Sequence, residues 1–145
     1  MKLTEHFTLE EFTRSDIAAR AGISNAPPTA VIERLAGLAR ALELVRSAVR
    51  APLIIHSGYR CKALNLLVPG SSPTSAHVLG YAADFTVEGI PVLELCQMTR
   101  RTPGLAYDQI IYEYGAWCHL SIDPRAREEL WTKKSGEPYK RGLLL

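Results

Sequence analysis

The chain has 145 residues, of which 47% are apolar and 22% charged, so it is one ordinary globular domain and bulk disorder is excluded. No apolar run approaches the ~18 residues of a membrane span, and Met1–His6 has an early Glu5 and no apolar core, so neither a span nor a secretory signal is expected. A net charge of +2 is too weak to argue for nucleic acid.

In chain order, His6–Phe12 reads as a short helix with a capping box from Thr8 and Glu11, and with Phe7 and Phe12 directed into the core. Asn25-Ala26-Pro27-Pro28 is a breaker, after which Thr29 caps a long helix to about Arg50. Its apolar stripe is Ile32, Leu35, Ala36, Ala39, Leu42, Val45 and Val49, which predicts a core-facing side. Pro52–His56 reads as a buried strand ending at Ser57-Gly58, Cys61–Leu67 as a helix and Val68–Ser75 as a loop. Tyr81–Val87 reads as a strand and Pro91–Arg101 as a helix. Asp108–Tyr114 and Trp117–Ile122 form a hairpin around Gly115.

Pro124–Trp131 reads as a terminal helix, with a loose tail after it. From Pro124 onward, Arg125, Arg127, Lys133, Lys134, Lys140 and Arg141 outnumber Glu128, Glu129 and Glu137, so this segment carries the basic surplus. It is either a solvated helix end or a surface for an anionic target. The organisation expected is a single α+β domain over residues 1–131 and a basic tail over 132–145. Cys61, Cys96 and Cys118 are odd in number, widely spaced and free of any C-x-x-C. They read as free, buried thiols of a reducing compartment.

The chemistry-bearing residues are His77, Asp84 and His119. Gly80 and the strand-like run from Tyr81 argue against one helix joining His77 to Asp84. His77 then belongs to a loop or strand start and Asp84 to the following strand. Two imidazoles and a carboxylate are a plausible catalytic zinc set, because three protein ligands leave a fourth position for water. The competing reading is a pair of hydrogen-bonded core histidines. A carboxylate must then move the proton. With Tyr114-Gly115-Ala116 as the turn, Glu113 pairs with Trp117 and shares a face with His119, as diagonal neighbours. Glu113 ranks first for that role, Asp123 second and Asp108 third.

Several blocks together resemble a known family. They are Ser57-Gly58-Tyr59-Arg60-Cys61, Leu64-Asn65, Ser75-Ala76-His77 with Gly80, Ala82 and Asp84, Asp108–Glu113, and Trp117–Ser121. In this order they resemble the peptidase M15 family of zinc D-alanyl-D-alanine carboxypeptidases. The nearest branch holds small carboxypeptidases and phage cell-wall endopeptidases, and the likeness runs from about Phe7 to Ile122. The resemblance implies a hedgehog/DD-peptidase-like fold, with a small antiparallel sheet carrying one zinc ion per chain and helices packed against it. It implies His77, Asp84 and His119 as ligands and Glu113 as catalytic acid. Some relatives place that acid three residues before the last ligand, where this chain has Ala116.

The family's arginine falls on Arg60, which would hold a substrate carboxylate or stabilise the oxyanion; a structural salt bridge is the alternative. Tyr59 and Trp117 either line the substrate groove or pack in the core. Ser75 either bonds near the ligand or caps its turn. His56 reads as a packed or supporting histidine rather than a fourth ligand, and Cys118 should point away from the metal face.

The function expected is hydrolysis of an amide bond in bacterial peptidoglycan stem peptides by a monomer made in the host cytoplasm, of phage or prophage origin. The rival readings are a zinc-containing module of the same fold without catalysis, and a wall-binding protein whose basic tail does the work.

Overall fold

Six strands form one sheet in a computed structural model that describes residues 1–145. They are β1 (Ile54–Ser57), β2 (Ala82–Thr86), β3 (Gln109–Glu113), β4 (Trp117–Ser121), β5 (Glu129–Lys133) and β6 (Lys140–Arg141). The helices are α1 (Leu9–Thr13), α2 (Asp16–Ala21), α3 (Thr29–Val49), α4 (Lys62–Leu67), α5 (Ala76–Leu79) and α6 (Val92–Arg100). Across the sheet the order is β1-β2-β4-β3-β5-β6. Every neighbouring pair is antiparallel except β3 and β5, which run parallel.

Strand register separates the chemistry from the core. Asp84 pairs with His119, His119 with Ile111, and Ile111 with Trp131, so these four lie on one face. Two residues along, Trp117, Glu113 and Lys133 form a second row on that same face. The alternate positions, Phe85, Cys118, Ala83, Leu120 and Ile110, face the other way and are buried. There they join Leu35, Leu38, Leu42 and Val45 of α3 and Leu95 of α6 in one apolar cluster. Burying each Leu or Phe side chain contributes roughly 1.5–3 kcal/mol, so this face holds the sheet to its helices.

The buried stripe of α3 is Val31, Leu35, Leu38, Ala39, Leu42, Val45 and Val49. Ile32 and Ala36, expected inside, are only half-buried, and Val31 and Leu38 take the core positions. The helix is capped by Pro28 rather than Thr29, the proline's fixed φ leading directly into the first turn. The α1 capping pattern holds, with Glu11 Oε1 accepting from Thr8 N at 2.9 Å. Helix α2, capped by the Ser15 hydroxyl, was not foreseen.

The largest correction concerns the C-terminus. The helix expected over Pro124–Trp131 is absent, and β5 runs straight through the boundary expected after residue 131. Ala126 and Glu128 have φ of 45° and 56°, which no right-handed helix accommodates. From Glu129 the side chains alternate: Leu130 and Thr132 turn to the core side, Trp131 and Lys133 to the other. The pattern has a period of two and supplies a partner for the otherwise open edge of β3. The sheet is therefore mixed and six-stranded, larger than the small antiparallel sheet expected.

Candidate metal centre

His77 is delivered by the four-residue helix α5, between the Ser75 cap and Gly80, whose φ of +83° ends the turn. Ser75 Oγ accepts from His77 N at 3.2 Å, so this hydroxyl caps the turn. The His77 ring is fixed by its neighbour in the chain fold. Its Nδ1 lies 2.7 Å from the Gly58 carbonyl oxygen, which can only accept, so Nδ1 carries the proton and Nε2 the lone pair. That Nε2 faces Asp84 Oδ2 at 3.4 Å.

Asp84 and His119 meet because β2 and β4 pair them directly. His119 Nδ1 lies 2.9 Å from Asp84 Oδ1 and 3.4 Å from Glu113 Oε1. One ligand-type atom from each of His77, Asp84 and His119 lies within 4.8 Å of the others, and all three side chains are buried. Donors about 2.0–2.2 Å from a tetrahedral ion are about 3.3–3.6 Å apart, so a small contraction of this set would seat one. Two imidazoles and one carboxylate also suit a divalent ion chemically. The three residues can therefore hold a metal.

The electrostatics follow from burial and proximity. Burial pushes the His77 pKa down and outweighs the pull of Asp84. Burial also disfavours the His119 cation, but the hydrogen bond and charge of Asp84, with the charge of Glu113, bring its pKa above the ordinary value. Asp84 is held well below the carboxylate range: burial opposes ionisation, and the two histidines overcome it. Glu113 is raised, chiefly by burial, with the Asp84 charge adding to it.

Arg60 lies at the rim of this cluster. Its Nη2 donates to Ser75 Oγ at 3.3 Å, and its buried Nε has no partner. No carboxylate lies within ion-pair distance of Arg60, so it forms no structural salt bridge here. Its loop is clamped by Asn25, whose amide donates to the Thr13 and Tyr59 carbonyls at 2.9 Å each and accepts from Cys61 N at 2.8 Å. Gly58 is equally constrained, since a Cβ there would lie 2.6 Å from the Phe12 carbonyl oxygen. Asn25 and Gly58 are thus site-building residues to which the sequence assigned no role beyond a breaker and a strand end. For Gly58 the available signal was its place inside the Ser57–Cys61 block; Asn25 lies in no such block.

The candidate residues sort cleanly. His77, Asp84, His119, Glu113, Arg60, Ser75 and Trp117 line one groove of about 860 Å³. Trp117 stands beside Glu113 across the hairpin, packs edge-on against Tyr114 at 5.5 Å, and buries an unpartnered indole Nε1. Tyr59 packs into the core and touches only a neighbouring cavity of about 510 Å³. The two lower-ranked carboxylates are already paired with arginines: Arg127 grips Asp108 at 2.8–2.9 Å, and Arg125 grips Asp123 at 3.0 Å. His56 lies outside the centre, exposed, with Nε2 2.6 Å from Thr86 Oγ1. Cys118 points to the core beside Thr99, and burial pushes its thiol pKa up. All three cysteines are free; Cys96 and Cys118 are buried as expected, but Cys61 is only half-buried.

Fold and site together define a mixed α+β protein with a buried candidate metal centre beside a further carboxylate. The family profile for peptidase M15 matches residues 5–121, and the chain belongs to this family of metal-dependent peptidases. No curated protein is matched by the sequence. No helix is long and apolar enough to cross a membrane. The family match stops at Ser121, so β5, β6 and the segment joining them lie beyond it.

Proposed function

We propose that this protein is a zinc metallopeptidase that hydrolyses an amide bond in the stem peptides of bacterial peptidoglycan, as a monomer of the hedgehog/DD-peptidase type. The observation that carries the reading is Glu113. A half-buried carboxylate lies 3.4 Å from His119, on the same sheet face as Asp84 and His119 and beside the His77–Asp84–His119 donor set. A metal site without catalysis needs no proton carrier and would use this carboxylate only as a fourth ligand.

His77 Nε2, Asp84 and His119 Nδ1 would hold the ion, which supplies Lewis acidity and an activated water when bound. Glu113 takes a proton from the attacking water as its oxygen bonds to the carbonyl carbon. Glu113 then delivers that proton to the amine nitrogen as the C–N bond breaks. Arg60, with a buried N–H free of protein partners, holds a substrate carboxylate or the developing oxyanion. Trp117 and Ser75 border the groove, Ser75 keeping both Arg60 and the His77 turn in position. The free cysteines fit synthesis in a reducing cytoplasm, as for a phage or prophage lysis enzyme that acts on the wall.

The test is mass spectrometry of purified peptidoglycan digested by the zinc-loaded protein, with and without a chelator. New stem-peptide fragments that vanish with chelator are expected, and their masses name the bond. An unchanged wall would favour a metal-containing binding module instead.

A further inference from the structure

The groove's second wall comes from a part of the chain outside the family match. Arg125, Arg127, Lys133, Ser135, Gly136 and Tyr139 line the same groove as His77 and Glu113. Of the four cations in that groove, two are satisfied: Arg125 pairs with Asp123 and Arg127 with Asp108. Arg60 and Lys133 have no carboxylate within 4.0 Å, although acidic groups line the groove.

Lys133 is placed by the sheet. It pairs directly with Glu113 in the parallel β3–β5 ladder, so its side chain rises from the same face one strand away, roughly 4.8 Å at the backbone. Its ammonium group donates to the Glu137 carbonyl and lies 5.4 Å from the centre of the Tyr139 ring. Both contacts hold a cation without neutralising it. Tyr139 in turn packs edge-on against Trp131, 6.4 Å between centroids, and Arg141 covers the Trp131 ring at 4.6 Å. The lysine is half-buried on this aromatic support, so its charge is positioned rather than freely solvated. In strand order, Arg60 follows β1, Asp84, His119 and Glu113 occupy β2, β4 and β3 with His77 delivered beside them by α5, and Lys133 stands on β5. The two unpaired cations therefore bracket the candidate centre.

We infer that Lys133 is a specificity-determining residue that binds a free carboxylate of the peptide substrate, on the side of the centre away from Arg60. The inference rests on the peptidase reading above for its substrate class. Lys133 binds and orients; it takes no part in proton transfer.

The experiment uses zinc-loaded protein and a synthetic stem peptide, together with a series amidated at one carboxyl at a time. Lys133→Met should raise KM on the free-acid peptide about tenfold and leave kcat within about twofold, the loss of one charge-assisted contact. Lys133→Arg should restore most of the difference, and one amidated member of the series should abolish it. Equal KM for wild type and Lys133→Met on the free acid, or the same loss on every amidated member, would overturn the inference. Calorimetric titration of the same peptides into Glu113→Gln and Glu113→Gln/Lys133→Met separates the two readings. Wild-type protein that hydrolyses no peptide defeats the peptidase reading. Lys133 then stands only if the second substitution weakens binding of the free acid about tenfold, and it fails if binding is unchanged or absent.

Discussion

Two regions line the same groove and are built differently. The donor cluster of His77, Asp84 and His119 is buried, and its orientation is fixed by backbone: α5 is capped by Ser75, the His77 ring is tethered to the Gly58 carbonyl, and Asp84 faces His119 across a strand ladder. The C-terminal wall is exposed and cationic, and it is held by side chains: the Asp108–Arg127 fork, the Trp131–Tyr139 contact and the carbonyl that accepts from Lys133. The first region falls within the family match, and the second, apart from its anchor Asp108, beyond it. A buried, backbone-fixed set tolerates little change, which suits invariant chemistry. A surface wall can exchange cations without disturbing the fold, which suits a choice between substrates.

The sharpest way to break this division is at the donor set. His77→Ala or His119→Ala should abolish stoichiometric zinc and turnover together, measured by elemental analysis and peptide hydrolysis. Stoichiometric zinc in either purified variant would remove that residue from the set. Glu113→Ala should keep zinc and lose about 10²–10⁴ in kcat, the range of general acid–base catalysis. Near-wild-type rates would end its role as the proton carrier.

Support behind the donors should matter next. Gly58→Ala puts a methyl group 2.6 Å from the Phe12 carbonyl oxygen and 2.7 Å from its Cα, both backbone atoms that cannot swing aside. The expected cost is about 1–3 kcal/mol of stability, together with about a tenfold loss of zinc affinity as the His77 ring loses its tether. Thermal melts and competitive chelation measure the two. A stability loss with unchanged zinc affinity would show that the carbonyl does not steer the ring.

The wall should respond least, and with a pH signature. The Arg127 hydrogen bonds hold the Asp108 carboxyl below its ordinary value, against a smaller effect of burial. A depressed folded-state pKa contributes stability that is present above the unfolded carboxylate value, about 3.9, and is lost as pH falls through the folded value. Asp108→Asn should therefore cost about 1–2 kcal/mol at pH 7, discounted because Arg127 is partly exposed, and progressively less below about pH 4. Denaturant titrations at both ends of that window decide it. An equal gap at pH 7 and pH 3 would mean that the Asp108 charge does not anchor the wall.

The sequence by itself determined what depends on neighbours along the chain. Alternation across a two-stranded turn pairs Glu113 with Trp117 and puts Glu113 on the face of His119, and the ladder has that register. The same parity sends Cys118 into the core. The α3 stripe was legible to within one position, because helical spacing fixes a face but not which flank of it meets the core. What only the tertiary structure decided depends on segments distant in sequence. Asn25 clamps the Arg60 loop from 34 residues away, and Gly58 reaches His77 across 19. The charges of the C-terminal segment suit a solvated helix end. It is a strand because the open edge of β3 satisfies its backbone hydrogen bonds, and that edge exists only once the sheet has formed.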